Sequence, residues 1–345
     1  MAKAPNSVIG VDIGRFALKS VLLQRKGGNR VAITHYGSHI PAETATDSAS
    51  LGKQLKALLK DMGGSAKACV VSVSSPDALI RIIEQPETPP ALLRDALRLN
   101  GLTLLNQDVK NFVLDCDRIE TGDAQQGESG SATRKKYLVG GLPRTEVQHL
   151  HDAAGEANIS LTALQLSPVC IFNAFEFAKP EVFNSEAFFL VDIGHLSSTM
   201  MVGARRELVL VRNVDFGGKA LMEALTGLSA EGREGVILGL EQEDEVMVEY
   251  TRVALTTLAR EIGSSIGFFE ARHEQTVGRV YVSGGPAKSK TFIKLMGEEL
   301  GMPCESWSAV DACENAVASG RRDDFARESV DLNAACGAAT EILKG

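Results

Sequence analysis

The sequence predicts an α/β protein of two similar lobes, with a smaller α+β subdomain inserted into the first. Two observations carry the duplication. "VIGVDIGRFALKS" at Val8 to Ser20 and "FFLVDIGHLSS" at Phe188 to Ser198 repeat one phrase, an apolar run closed by Asp-Ile-Gly and followed by a return strand. Each copy then leads into further strands and a helix in the same order. The third observation is the stretch from Pro76 to about Ser167, whose pattern matches neither copy. A chain of 345 residues is long enough for two such lobes. The period is far longer than that of a solenoid repeat.

The first unit runs strand, tight turn, strand from Ser7 to Arg25, and "RVAITHYGSHI" supplies a third strand. "SASLGKQLKALLKDMGG" places Leu51, Leu55, Leu58 and Leu59 on one helical face, with Gly63-Gly64 as the stop. "KACVVSVSS" carries an apolar run rich in β-branched valine, which predicts a buried strand. In the middle stretch, "PETPPALLRDALRL" carries prolines at a helix start. "VKNFVLDCDRI" and "KKYLVGGL" read as paired strands around "ETGDAQQGESGSATR", a Gly- and Ser-rich segment that predicts a mobile loop. "EVQHLHDAAGEANI" follows as a helix, and the whole fits a βαββα insert. The second unit begins with "AFFLVDIGHLSSTMMVGARRELVLVRNVDFGG", three strands ending at Gly217-Gly218, and a helix starts near Lys219. A long helix spans Val246 to Glu270. It leads to the strand and Gly-Gly turn of "RVYVSGG" and then to the helix of "SKTFIKLMGEELGM".

Composition narrows the function. A net charge of −8, with basic residues scattered, excludes a general nucleic-acid surface. The six cysteines form no C-x-x-C pair and lie far apart, which argues against zinc and against a disulfide framework. They are expected to be small core residues in a reducing compartment. The opening "MAKAPNS" lacks the apolar core of a signal peptide, and no run approaches the length of a membrane span. A cytoplasmic protein is expected.

The repeated phrase has a chemical use. An acid at the end of a buried strand can hold a hydrated Mg²⁺, which keeps several of its waters. The glycine after it lets the turn backbone approach phosphate oxygens and aim its N–H groups at them. Lys19, on the return strand, can reach the same phosphates as a point charge. Two such hairpins facing each other would clamp a polyphosphate from both sides. "YVSGGPA" at Tyr281 to Ala287 adds a Gly turn suited to a base and ribose lying flat on backbone.

The set Asp12-Gly14-Lys19, Asp192-Gly194, Gly217-Gly218 and Ser283-Gly284-Gly285 resembles the actin-like ATPase superfamily. Within that superfamily, three features are similar to the type IV pilus assembly protein PilM family. They are "LAREIGSSIGFFEARH" running into "GRVYVSGGPAKSKTFIKLMGEELGMPCE", the position of the insert, and the small-residue ending "NAACGAATEIL". The resemblance covers essentially the whole chain. It implies an actin-like two-lobed fold with duplicated five-stranded sheets and an inserted α+β subdomain of the FtsA/PilM type. Lobe I would comprise 1–183 and 331–345, with the insert at about 78–165, and lobe II 184–330. ATP and Mg²⁺ would lie between the lobes.

Residue by residue, the resemblance assigns Asp12 and Asp192 to Mg²⁺, mostly through water. It assigns Gly14, Lys19 and Gly194 to phosphates, and Gly218, Gly284 and Gly285 to adenosine. It turns Glu261 and Ser265 toward the base or ribose, although Glu261 by itself reads as part of a solvated helix face. Two positions depart from the family pattern. Arg15 stands where a small hydroxylic residue is usual, so that it either pairs with a phosphate or fills the pocket. His195-Leu196 stands where small residues are usual. No residue is singled out as catalytic, and ATP hydrolysis is expected to be slow at most.

By the same resemblance the function is that of a cytoplasmic ATP-binding scaffold of a pilus or related secretion platform. Its partner would be the cytoplasmic tail of a PilN-like inner-membrane protein, through which it would sit at the membrane without inserting. Pilus motor ATPases and further copies of the chain are additional candidates. Two alternatives remain. A sugar-type kinase requires a carboxylate base near the acceptor, and no acid-bearing motif beyond the two hairpins supplies one. An FtsA-like division protein requires an amphipathic membrane helix, for which "AATEILKG" is too short and too plain.

Overall fold

The computed structural model describes residues 5–27, 30–119, 134–229 and 231–344. The loop expected at 120–134 lies outside the described residues apart from Arg134. The chain opens with β1 (Ser7–Ile13), β2 (Leu18–Arg25), β3 (Val31–His39), α1 (Ser48–Met62) and β4 (Ala68–Val73). Helix α1 begins where the sequence signals it. Asp47 accepts the Ser50 N–H at 2.7 Å, and the Ser50 hydroxyl reciprocates toward the Asp47 N–H. It ends at Gly63, which has φ +77° and donates to Leu59 O.

The insert follows as β5 (Leu79–Pro86), α2 (Pro90–Leu105), β6 (Phe112–Arg118) and β7 (Arg134–Pro143). Its three strands pair antiparallel in the order β5-β7-β6 around a small core of Leu93, Leu97, Tyr137 and Val139. The chain then forms α3 (Arg144–Glu156), β8 (Leu161–Leu166), α4 (Ser167–Ala178) and α5 (Pro180–Ser185). The sequence places β8 inside the insert. It instead pairs in parallel with β4, and so extends the first sheet.

The second unit comprises β9 (Ala187–Ile193), β10 (Ser198–Ala204), β11 (Glu207–Val214), α6 (Gly218–Thr226), α7 (Gly232–Glu241), α8 (Glu245–His273), β12 (Val277–Gly284), α9 (Lys290–Leu300) and β13 (Cys304–Ser306). The short strand β14 (Glu314–Asn315), α10 (Arg322–Glu328) and α11 (Asn333–Lys344) complete the chain.

The duplication is visible in the topology. The order β3-β2-β1-β4-β8 in the first sheet is matched by β11-β10-β9-β12-β13 in the second, with the same antiparallel and parallel neighbours. One correction is needed, because the first sheet has six strands rather than five. The extra edge strand is β14, which comes from the stretch expected in lobe II and pairs with β3.

Strand parity decides what each sheet face covers. Val8 faces a core shared by α4, α11 and the second sheet, while Ile9 and Val11 face the core under α1 and α3. Likewise Phe188 and Leu190 face the shared core, while Phe189, Val191 and Ile193 face α6 to α9. Helices α4 and α11 therefore lie between the two sheets. Phe175 of α4 joins them, with ring centroids 4.5 Å from Phe188, 4.8 Å from Tyr281 and 5.1 Å from Trp307. Counting in twos, Asp12 falls on the side of Val8, and Asp192 on the side of Leu190. Both acids point toward the gap between the lobes.

Candidate nucleotide site

The two hairpins have equivalent geometry. Asp12 is paired with Lys19 across β1 and β2, and Asp192 with Thr199 across β9 and β10. A Cβ at Gly14 would fall 2.6 Å from Ala17 O, and one at Gly194 would fall 2.8 Å from Ser197 O. Both turns therefore close only around glycine. Each acid also has a serine beside it on the neighbouring parallel strand, Ser72 for Asp12 and Ser283 for Asp192. The Ser283 hydroxyl donates to Asp192 Oδ1 at 2.7 Å.

The Gly-rich turns close on the second hairpin. The Gly218 N–H donates to Gly194 O at 2.8 Å, and the Lys219 N–H to His195 O at 2.9 Å. A Cβ at Gly217 would come within 2.4 Å of His195 O. Gly284 has φ +89°, and a Cβ there would lie 2.2 Å from Ile193 O, so glycine is required twice over. A Cβ at Gly218 would lie 3.7 Å from the Pro286 ring, which sets the two turns side by side, and Gly285 faces open space. The structure thus brings Gly194, Gly218, Gly284 and Gly285 together at the end of β9.

Lys19 lies in a nest of carboxylates. Its Nζ is 3.5 Å from Asp12 Oδ2. Burial would lower its pKa, but the charges of Asp12, Asp331 and Asp192 outweigh this and raise it. The pKa of Asp12 is raised, first by burial, with Lys19 opposing and Asp331 adding. Burial also raises Asp192 to about 6, against the Ser283 hydrogen bond and Lys19 and with help from Asp12 and Asp331. Asp192 therefore feels the charges of Asp12 and Lys19.

Asp331, which no sequence motif singles out, lies near enough for its charge to bear on Asp12, Lys19 and Asp192. It is paired with Lys288 at 2.5 Å.

At the mouth, the hairpin tips touch. The Phe16 and His195 rings lie 5.1 Å apart, and the Arg233 guanidinium covers Phe16 at 4.6 Å. Burial, then Lys219 and Arg233, lower the His195 pKa, so that the imidazole is neutral at pH 7. Arg15, next to Phe16 in the chain, is exposed. Glu261 and Ser265 lie with Arg212. Its Nη2 is 3.5 Å from Glu261 Oε2, and its Nη1 donates to the Ser265 hydroxyl at 2.9 Å. The Ser265 hydroxyl donates in turn to Glu261 O at 2.8 Å. Among the described residues, no hydrogen bond or ion pair joins these two to the aspartate cluster.

The sequence pattern of the type IV pilus assembly protein PilM family matches residues 10–342. The chain belongs to this family. Among solved structures, the PilM-PilN type IV pilus biogenesis complex is similar with a TM-score of 0.79 at 20% identity, over 98% of this chain and 99% of that one. The ethanolamine utilization protein EutJ from Carboxydothermus hydrogenoformans gives 0.54 at 14% identity, over 100% and 92%. A diol dehydratase-reactivating factor in nucleotide free form gives 0.56 at 7% identity, over 99% and 100%. At these identities the likenesses show the fold, which is the actin-like one expected. Membership of the PilM family places the chain in type IV pilus assembly, and leaves the kinase and FtsA-like alternatives less supported. Among the described residues of this PilM-family chain, no helix is long and apolar enough to cross a membrane.

The raised pKa of Asp192 has a consequence for stability. Its folded value exceeds the ordinary aspartate value of 3.8, so folding favours the protonated form. This contribution is complete below about pH 4 and is lost as pH rises through about 6. Asp192→Asn is therefore expected to stabilise the metal-free protein at pH 8 by on the order of 2 kcal/mol, with the difference vanishing near pH 4. Urea unfolding of both proteins across that range measures it.

Proposed function

We propose that the protein binds Mg-ATP between its Asp-Ile-Gly hairpins, and that it is the scaffold that holds the cytoplasmic tail of a PilN-like inner-membrane protein. The observation that carries the nucleotide part is the matched pair of hairpins, whose Asp12 and Asp192 fall on the interlobe side of their strands, with Lys19 Nζ 3.5 Å from Asp12 Oδ2. The carboxylates fit a cation, because burial has driven up the pKa of both and a divalent charge would relieve it. Among the described residues, no three His, Cys, Asp or Glu side chains are disposed to hold a metal ion. Asp12 and Asp192 would accordingly hold Mg²⁺ mostly through its waters. When bound, the ion would neutralise phosphate charge.

The chain's own groups supply the rest. Gly14, Gly194 and Lys19 would meet phosphates, and the Gly218 and Gly284-Gly285 turns would form the floor for adenosine. Arg15, exposed at the tip, is free to pair with a phosphate. Glu261 and Ser265, if they serve the base or ribose, would do so through Arg212. His195 lies against Phe16 with the two rings tilted, and its lowered pKa makes it a weak base for pulling a proton from water. Hydrolysis would be slow.

Similarity to a solved PilM-PilN complex supports the partner. The tail would bind as an extended peptide, with main-chain hydrogen bonds giving affinity and side-chain pockets giving choice. Through it the protein would lie at the inner membrane, within reach of the pilus motor ATPases. Lobe I (1–183 and 331–345, carrying the insert) and lobe II (184–330) would close on ATP in proportion to its preference for the closed state. A peptide of the PilN-like tail is expected to bind at least fivefold more tightly, or more weakly, with Mg-ATP than without it. Calorimetry checks this, and equal affinities would remove the coupling.

A further inference from the structure

The tips of the two hairpins meet across the cleft. Phe16 stands two residues after Gly14 in the first turn, and His195 directly follows Gly194 in the second. Their ring centroids are 5.1 Å apart, with the planes inclined at 34°. Arg233, in the first turn of α7, brings its guanidinium to 4.6 Å from the centre of the Phe16 ring. Phe16 is half-buried, although it stands at a turn tip beside the exposed Arg15. Among the described residues, both the aromatic and the cationic neighbour of its ring come from the second unit.

The far side of this contact is held by backbone. Inside its own turn, the Gly194 N–H donates to Ser197 O at 3.1 Å. His195 O accepts from the Lys219 N–H, which ties the tip to the start of α6. A Cβ at Gly14 or Gly194 would strike turn backbone, so both turns are tightly closed. Phe16 thus meets a preset surface. The glycines proposed to meet phosphates lie in these same two turns.

We infer that Phe16, His195 and Arg233 form a latch across the mouth of the cleft, and that its opening sets the rate of nucleotide exchange. The inference rests on the nucleotide reading above, and it gives Phe16 no contact with the ligand. An aromatic pair and a cation over a ring are each weak interactions, so the latch opens readily. Removing both raises the open fraction about 5- to 50-fold. A latch that closes equally over the empty and the filled cleft slows entry and exit alike. Breaking it therefore speeds both and leaves affinity where it was. A residue that touches the nucleotide changes affinity instead.

The test uses the full chain and N-methylanthraniloyl-ATP with Mg²⁺, followed by stopped-flow fluorescence. Hydrogen exchange of the nucleotide-free protein is measured alongside by mass spectrometry. In Phe16→Ala, association and dissociation are both expected to rise about 5- to 50-fold, with Kd within about threefold. Arg233→Gln is expected to raise both rates about two- to fivefold, and to add nothing to Phe16→Ala, whose ring is gone. Leu196→Ala, exposed at the same tip, is expected to change neither rate. Without nucleotide, Phe16→Ala is expected to speed exchange at Gly194 and Lys219, whose amides lie across the cleft, by at least about threefold.

Rates within twofold of the unaltered chain, or a changed affinity with one rate unmoved, would overturn the latch and leave the nucleotide reading standing. Unchanged exchange at Gly194 and Lys219 would show that the tips do not hold each other, and would overturn the latch whatever the ligand kinetics. An unaltered chain that binds no ATP analogue would overturn the nucleotide reading and the gating role together.

Discussion

Gly337→Ala is expected to destabilise the protein by about 3 kcal/mol, at the upper end of what overpacking a core usually costs. Gly337 lies where α11 crosses α4, and a Cβ there would come within 1.8 Å of Cys170 O and 3.1 Å of the Ala174 Cβ. The obstruction is backbone, which cannot swing aside as a flexible side chain would. Relief requires the helices to part, and they are the pair lying between the two sheets. Gly10 shows the same closeness on the other side of α11, where a Cβ would lie 1.9 Å from Ala335 O. Alanine's better helix propensity offers only about 1 kcal/mol in return. Gly263→Ala, in α8 with nothing within 4 Å of the new Cβ, is the matched control and is expected to gain up to that amount. Urea unfolding of the two variants measures the contrast. A loss below 1 kcal/mol at Gly337 would show that α4 and α11 separate easily, and that the interlobe core is not set by their contact.

Asp12→Asn is expected to weaken Mg-ATP binding roughly 100-fold while the fold holds. The exchange keeps the side chain's shape in a position that is only 7% exposed. It removes a carboxylate that burial already disfavours, so the folded state loses little. Lys19 keeps Asp192 and Asp331 as counter-charges. What disappears is one of the negative charges opposing the cation. Calorimetry with Mg-ATP and thermal unfolding, run on the same sample, separate the two effects. Collapse of the fold in Asp12→Asn would make Asp12 a structural residue rather than a ligand.

The parts legible in the sequence are those governed by short-range rules. The continuous apolar runs and the Asp-Ile-Gly turns predict both hairpins. Strand parity, counted from Val8 and from Phe188, sends Asp12 and Asp192 toward the same gap. Gly63 and the Asp47–Ser50 cap mark the limits of α1 without help from tertiary contacts.

The parts that were not legible depend on residues distant in sequence. Strand β14 has two residues and exists only because β3 offers it an edge. The sequence around β8 does not reveal whether it joins the insert or the first sheet, because the choice is made by β4. Asp331 precedes "NAACGAATEIL", a stretch notable in the sequence only for its small residues. Its pairing with Lys288 follows from the 329–331 turn packing on the 285–288 turn. The contact between Phe16 and His195 joins residues 179 positions apart, a spacing no local pattern encodes. Glu261 and Ser265 show the converse limit. Their positions on α8 were predictable, whereas the Arg212 that occupies them comes from β11.

The central claim is that two acid-tipped β-turns grip one polyphosphate from opposite walls. Titration calorimetry of the purified chain with ATP, with and without Mg²⁺, tests it most directly, run beside Asp12→Asn and Asp192→Asn. One site per chain, tightened by Mg²⁺ and weakened in its Mg²⁺ dependence by either substitution, is the predicted result. Binding that ignores Mg²⁺ and both substitutions, or no binding at all, would contradict it.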